Sequence, residues 1–310
     1  MINWKRAFWL VVLLLLSAAA YVLVQVRALE VEQLTDDLYV LRGLGGNVAV
    51  LRTAAGAVVV DSMMLPWQGR RVREAARALT GMDTVLLINT HHHWDHTHGN
   101  PGFAPGTRVL SSARTRHYLQ ALDADFWAGE AARLLPNATL SGRQVVRIGE
   151  QTITLLHPGA GHTDGDLVVL FDDQRAIHMG DLLFNGHYPN IDLEAGGTVQ
   201  RWPATLRRVL RLDFDTAIPG HGATTDRAGI VEFASFLEQL GELARHAARD
   251  HTSLRQFLRT QRLTLDENLE DVRMIIPVGL NRKFVLRRAW EETTGNFTRA
   301  AALDGAAEGE

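Results

Sequence analysis

The chain of 310 residues contains no cysteine, which excludes disulfides, thiolate metal ligands and thiol nucleophiles together. Any metal it holds must rest on nitrogen and oxygen donors. It also lacks a large charge of one sign. Its 32 Lys and Arg against 35 Asp and Glu leave a formal net charge of -3, so no basic field is available for a polyanion and nucleic acid is not an expected partner. No internal repeat of fixed period is present, which argues against a solenoid or a propeller. What remains, 46% hydrophobic and 22% charged residues, can bury a sizeable core and excludes a disordered or collagen-like chain.

One long hydrophobic run stands at the start, Ala7 to Val24, broken only by Ser17 and preceded by Lys5 and Arg6. Its length is marginal for crossing a hydrocarbon core of about 30 Å. The basic flank predicts that the amino end stays in the cytoplasm. Residues 1–28 therefore read as a signal peptide or a transmembrane anchor, with Ala18-Ala19-Ala20 or Val26-Arg27-Ala28 as cleavage motifs. The remainder is expected to be exported and periplasmic, either soluble or held to the membrane through this N-terminal segment.

From Leu34 the pattern becomes short β-rich runs, Leu38 to Arg42, Val48 to Arg52 and Val58 to Asp61, separated by Gly43-Leu44-Gly45-Gly46 and Thr53-Ala54-Ala55-Gly56. These predict antiparallel hairpins. Pro66 to Thr80 carries Val72, Ala75, Ala76 and Leu79 at helical spacing, and an apolar strand follows at Thr84 to Asn89. Strands recur at Val145–Ile148, Thr152–His157, Leu167–Phe171, Arg175–Met179 and Ala217–Ile218, with a helix at Val199–Leu212. Two clusters of strands, each followed by helices, predict two sheets packed face to face with helices outside, an α+β arrangement. The catalytic domain is expected over residues 29–225. A helical extension packed on it follows over 226–300, and 301–310 reads as a disordered tail. Within the extension, Ile230, Phe233, Phe236, Leu237, Leu240 and Leu243 predict an amphipathic helix. Lys283, Arg287 and Arg288 along Arg282–Thr293 suggest a helix with a wet face, in the position of a lid or a membrane-surface contact.

The chemistry concentrates in Thr90-His91-His92-His93-Trp94-Asp95-His96-Thr97-His98-Gly99-Asn100, a loop leaving the carboxyl end of an apolar strand. An extended chain would project His91, His93 and Asp95 to one side, and a turn would bring His96 beside Asp95. Four such residues so close together cannot all reach one tetrahedral ion, which predicts two metals. Further ligands stand in glycine-flanked turns: His162 in Gly159-Ala160-Gly161-His162-Thr163, Asp181 after Met179-Gly180, and His221 in Pro219-Gly220-His221-Gly222. One arrangement gives the first metal His91, His93 and His162 and the second Asp95, His96 and His221, with Asp181 bridging and a water position open on each. The other histidines, among them His92, His98, His157, His178 and His187, are read as non-ligands.

The order Thr-His-x-His-x-Asp-His, Gly-His-Thr, Gly-Asp, Pro-Gly-His-Gly resembles the metallo-β-lactamase-fold hydrolase superfamily, and the likeness covers about residues 34–225. The resemblance implies a four-layer αββα sandwich with the metals at one edge and the same seven ligands. Gly165-Asp166 and Phe184-Asn185-Gly186-His187-Tyr188-Pro189 resemble exported members of the superfamily. A lactamase of the thiolate-using subclass has cysteine where this chain has Asp181, and a bridging aspartate is more similar to the glyoxalase-type thioesterases, the lactonases and the phosphodiesterases. The expected function is thus a zinc-dependent hydrolase with two Zn2+, iron or manganese being the alternatives, in which a metal-bridging hydroxide attacks a small ester, thioester, lactone or β-lactam. Asp95 and Asp181 are the expected catalytic carboxylates. Asn185, His187, Tyr188, Trp67 and Trp94 are expected to line the substrate pocket. Competing expectations are a mononuclear iron sulfur dioxygenase and a non-enzymatic periplasmic metal-binding protein.

Overall fold

The computed structural model describes residues 4–5, 8–13, 16–17, 28–273 and 277–297. The Ala18-Ala19-Ala20 and Val26-Arg27 motifs and the 301–310 tail lie outside them. Among the described residues no helix is long and apolar enough to cross a membrane.

Alternation along the strands sets the layers, because successive side chains leave a strand on opposite faces. In β2 (Leu38–Arg42), Leu38 and Val40 face one core while Tyr39 and Leu41 face another; β3 (Val48–Thr53), β4 (Gly56–Val60) and β5 (Thr84–Ile88) divide in the same way. With β1 (Glu30–Gln33), β6 (Arg108–Ser112) and β7 (Ala138–Leu140) they form a seven-stranded sheet in chain order. It is antiparallel from β1 to β4 and parallel from β4 to β7. The second sheet runs in the order β13-β12-β11-β10-β9-β8, namely Thr225–Asp226, Thr216–Ile218, Ala176–His178, Val168–Phe171, Gln151–Leu156 and Arg143–Ile148. Val169 and Phe171 of β10 meet Val58, Val60 and Ile88 between the sheets, whereas Val168 and Leu170 face outward.

Helices close both outer faces. The first, α1 (Pro66–Thr80), starts with proline in its first turn and ends at Gly81 in the left-handed region, whose N–H donates to Arg77 O. Its Val72 and Ala76 pack on Val50, Val59 and Leu87 of the first sheet. A short α2 (Trp94–Thr97) and α3 (Ala113–Leu122) follow. On the second sheet lie α4 (Trp202–Val209), α5 (Arg227–Arg249), α6 (Leu254–Thr260) and α7 (Arg282–Thr294), which bury Trp202, Phe233, Phe236, Leu240, Val285 and Leu286 in one cluster. Each such fully buried side chain stabilises the packing by about 1.5–3 kcal/mol. The four layers are therefore α, β, β, α.

Three expectations need correction. The helix predicted over Val199–Leu212 begins only at Trp202, with Pro203 in its first turn. Asp95 does not continue an extended strand: His93 caps α2, so Asp95 and His96 project from one helical turn. Helix α7 does expose Lys283 and Arg287, but Arg288 is turned inward with its side chain 12% exposed.

Candidate metal centre

Strands β4, β5, β9, β11 and β12 all end at the same edge of the sandwich, and each delivers one part of a polar cluster. Asp61 follows β4, His91 to His96 follow β5, the loop with His162 follows β9, Asp181 follows β11 and His221 follows β12. β9 and β11 run the same way because each is antiparallel to β10, and β11 and β12 are parallel. The topology thus brings together candidate ligands 130 residues apart in number, from His91 to His221.

His91, His93, His162 and Asp181 place ligand atoms within 4.8 Å of one another, and Asp95, His96 and His221 form a second such group. Asp181 stands between them. Its Oδ2 lies 3.7 Å from His91 Nε2 and 3.6 Å from His162 Nε2, while its Oδ1 lies 3.1 Å from His96 Nε2 and 3.5 Å from His221 Nε2. Asp95 Oδ2 is 3.2 Å from His221 Nε2. Two glycines make room: a Cβ at Gly46 would fall 2.1 Å from the His96 ring, and one at Gly220 would fall 2.0 Å from Asp181 Oδ1.

The surrounding hydrogen bonds fix which nitrogen of each ring is free. Asp61 Oδ1 accepts from Thr90 N at 2.8 Å and Oδ2 from Thr90 Oγ1 at 2.8 Å. Since that hydroxyl proton is committed, Thr90 Oγ1 accepts from His91 Nδ1 at 3.0 Å, which leaves the His91 Nε2 lone pair toward Asp181. Asp61 Oδ2 also accepts from His96 Nδ1 at 2.8 Å, and the Asn190 carbonyl accepts from His162 Nδ1 at 2.9 Å. His93 is held the other way round: its Nε2 donates to Asp192 Oδ2 at 2.9 Å, and its Nδ1 faces His162 Nε2 at 2.8 Å. Two acceptor nitrogens at that separation require a cation or a proton between them. Asp61 sits at φ 64, a backbone conformation that aspartate tolerates better than branched residues do.

Electrostatics follow from burial. Burial and the neighbouring histidines push His91 well below the ordinary histidine range, and burial with His93 brings His162 down to about 4. Burial would lower His96 too, but Asp181, Asp95 and Asp61 raise it well above that range. Burial opposes ionisation of Asp95, yet His96 and His221 bring it down to about 2; Asp181 is held lower still by the same histidines. His91 Nε2, His96 Nε2 and Asp181 Oδ1 are buried without a hydrogen-bond partner. Such atoms cost about 1–3 kcal/mol each when left unsatisfied. They fall within or between the two groups, where divalent cations would satisfy them. With donors of nitrogen and oxygen only, zinc fits this set.

All seven residues expected as ligands are therefore brought together. The expected pocket residues divide. His187 is half-buried, its Nδ1 is enclosed without a partner, and burial and His221 both lower its pKa. The Asn185 amide donates to Ala223 O at 2.9 Å. Tyr188 is buried and its hydroxyl donates to Asp266 Oδ2 at 2.7 Å, which makes it an anchor for the C-terminal segment. Trp67 lies half-buried on α1, and Trp94 is 43% exposed on α2. His98, read as a non-ligand, stacks on Phe126 and pairs with Asp123. His92, read as a non-ligand, forms a third group with His93 and Asp192. Spacing does not single out Asp61, Thr90, Asn190 and Asp192, although Asp61 closes the predicted strand Val58–Asp61.

The comparisons agree with this geometry. The chain is 29% identical over 180 residues to the 2,4-dinitroanisole O-demethylase subunit alpha of Nocardioides sp., covering 56% of this chain and only about half, 52%, of the relative. It is 28% identical over 228 residues to a hydroxyacylglutathione hydrolase of Rhodospirillum rubrum, covering 71% of this chain and 78% of the relative. The fold superposes on the metallo-beta-lactamase from Pontibacter korlensis with a TM-score of 0.57 at 20% identity, over 68% of this chain and 99% of that one. The model of the metallo-beta-lactamase superfamily matches residues 41–221, a span that holds the ends of β4, β5, β9, β11 and β12 and all seven clustered side chains, and the chain belongs to that superfamily.

Proposed function

We propose that the protein is an exported hydrolase that binds two zinc ions and cleaves a small carbonyl substrate, an ester, thioester, lactone or β-lactam. The observation that carries this reading is Asp181, whose two carboxylate oxygens face two separate groups of histidines across buried, unpartnered atoms. When bound, the two ions supply Lewis acidity and a water acidified toward neutral pH. The chain's residues do the remainder. His91, His93 and His162 would hold one ion, Asp95, His96 and His221 the other, and Asp181 would touch both. Asp95, ionised and 6% exposed, would orient the attacking water by accepting a hydrogen bond from it. Of the expected pocket residues, His187 would be the one to hydrogen-bond the substrate. A complete second group favours two metals over a mononuclear oxygenase. Aspartate rather than cysteine at position 181, with the likeness to a hydroxyacylglutathione hydrolase, favours a thioester over a β-lactam. Lys5 and Arg6 before the run from Ala7 support export.

The test is hydrolysis by zinc-loaded protein of a glutathione thioester, an acyl-homoserine-type lactone, a β-lactam and a phosphodiester. One carbonyl substrate should be turned over far faster than the others. Asp95→Asn should lower kcat on it by about 10²–10⁴-fold, the usual worth of a positioned acid or base. Near-normal turnover in that variant would remove the role of Asp95, and preference for the phosphodiester would remove the substrate class.

Metal should also stabilise the fold. Each zinc present at a hundred times its Kd should add about 2.7 kcal/mol, since the ion binds only the folded cluster. A thermal scan with zinc and with chelator should show a clearly higher Tm in zinc; coincident curves would contradict it.

A further inference from the structure

Helix α7 lies beyond the matched residues 41–221, yet three of its side chains hold the loop that orients the three-histidine group. Two contacts of that loop face the cluster: the Asn190 carbonyl accepts from His162 Nδ1 and Asp192 Oδ2 accepts from His93 Nε2, each at 2.9 Å. Both residues belong to the stretch between Tyr188 and α4. Arg288 Nε donates to Ile191 O at 3.0 Å, the carbonyl between those two residues, and its guanidinium also reaches Glu194 and Glu291. One turn on, Glu292 accepts from Val199 N at 2.8 Å and from Thr198 Oγ1, closing the far end of the loop. Arg282, at the start of α7, donates to both oxygens of buried Asp266 at 2.7 Å, and Asp266 in turn holds the Tyr188 hydroxyl at the near end. The three grips thus fall at the beginning, middle and end of the segment 188–199. His96, by contrast, takes its orientation from Asp61, which lies outside this segment.

We propose that Arg288 and Glu292 are positioning residues for the His91–His93–His162 half of the metal centre. They act through Asn190 and Asp192, and α7 serves as the clamp that keeps two of the three rings presenting their free nitrogens. The proposal rests on the binuclear reading above. A ring whose outer hydrogen bond is lost gives up both its tautomer and its direction, and such losses weaken metal binding by about 10- to 100-fold. The expected effect is confined to one site because neither Asp95 nor His96 is oriented by this loop.

The experiment is a competitive-chelator titration of the full chain with Zn2+, repeated with Co2+ followed by its visible spectrum. Wild-type protein should bind in two phases, of which His162→Ala removes one and His221→Ala the other. Arg288→Ala and Glu292→Ala should each weaken the phase that His162→Ala removes by about 10- to 100-fold, shift the other by less than about threefold, and change the Co2+ spectrum of the first site only. Arg288→Lys, which retains a donor toward Ile191 O, should recover part of the loss. Val285→Ala loosens the packing of α7 while leaving the side chains of Arg288 and Glu292 in place and serves as the stability control, with both phases expected in place. Equal shifts of the two phases, an equal shift in Val285→Ala, or no shift in Arg288→Ala would overturn the clamp and leave the two-metal reading standing. A wild-type protein without two phases would overturn both.

Discussion

Asp181→Ala is expected to reduce hydrolytic turnover by about 10³-fold or more and to weaken both metal sites together. The magnitude follows from charge: a metal-assisted hydrolysis draws several kcal/mol of transition-state stabilisation from its cations, and about 4 kcal/mol corresponds to roughly three orders of magnitude. The simultaneous effect follows from geometry. Each oxygen of Asp181 faces a different group, His91 and His162 on one side and His96 and His221 on the other. Removing the carboxylate also leaves buried His96 facing fewer negative charges, since Asp181 is the strongest of the carboxylates that favour its cationic form. Steady-state kinetics with a metal count on the same sample measure both effects. Retention of two tightly bound zinc ions in Asp181→Ala would show that the carboxylate is not shared.

Asp61→Asn should also be damaging, though less than Asp181→Ala, even though Asp61 touches no proposed metal position. Asparagine is isosteric and tolerates φ 64, so the fold should survive. One carboxylate oxygen becomes an NH2 group, however, and must face either Thr90 N or the pair formed by Thr90 Oγ1 and His96 Nδ1. In the second orientation, which keeps the bond from Thr90 N, the amide donates to His96 Nδ1, the ring proton moves to Nε2, and the lone pair aimed at the second site is lost. His91 is affected as well, because its tautomer depends on Thr90 Oγ1 donating to Asp61. Metal affinity should fall by about 10- to 100-fold, with a comparable loss of kcat. Nitrogen chemical shifts of His91 and His96 would report the tautomers directly. Unchanged shifts together with unchanged activity would contradict the role assigned to Asp61.

The clustered candidate ligands are legible in the sequence for a local reason. His91, His93, Asp95 and His96 crowd into one loop after an apolar strand, and His162, Asp181 and His221 each follow a glycine, which a tight approach to a ligand requires. The β-strands of both sheets are legible because alternation survives in them; β10 sends Val169 and Phe171 one way and Val168 and Leu170 the other. What orients the ligands is not legible. An aspartate at the end of a strand or in a loop is ordinary, and only the meeting of β4, β5 and the 188–199 segment in space puts Asp61 and Asp192 under histidine rings. Arg288 meets the same limit: a basic residue on an amphipathic helix belongs to the wet face on statistics alone, and its burial depends on a loop nearly a hundred residues earlier. Tyr188 sits in the right stretch of chain for a pocket, but Asp266 and Arg282 supply a partner that periodicity does not reveal.

Two cations sharing Asp181 are tested most directly by anomalous diffraction from crystals of the zinc-loaded protein at the zinc absorption edge. Two peaks are expected, one bounded by His91, His93 and His162, the other by Asp95, His96 and His221, with one oxygen of Asp181 toward each. A single peak, or density at His92 and Asp192 in place of the second group, would contradict the binuclear centre and the hydrolytic function built on it.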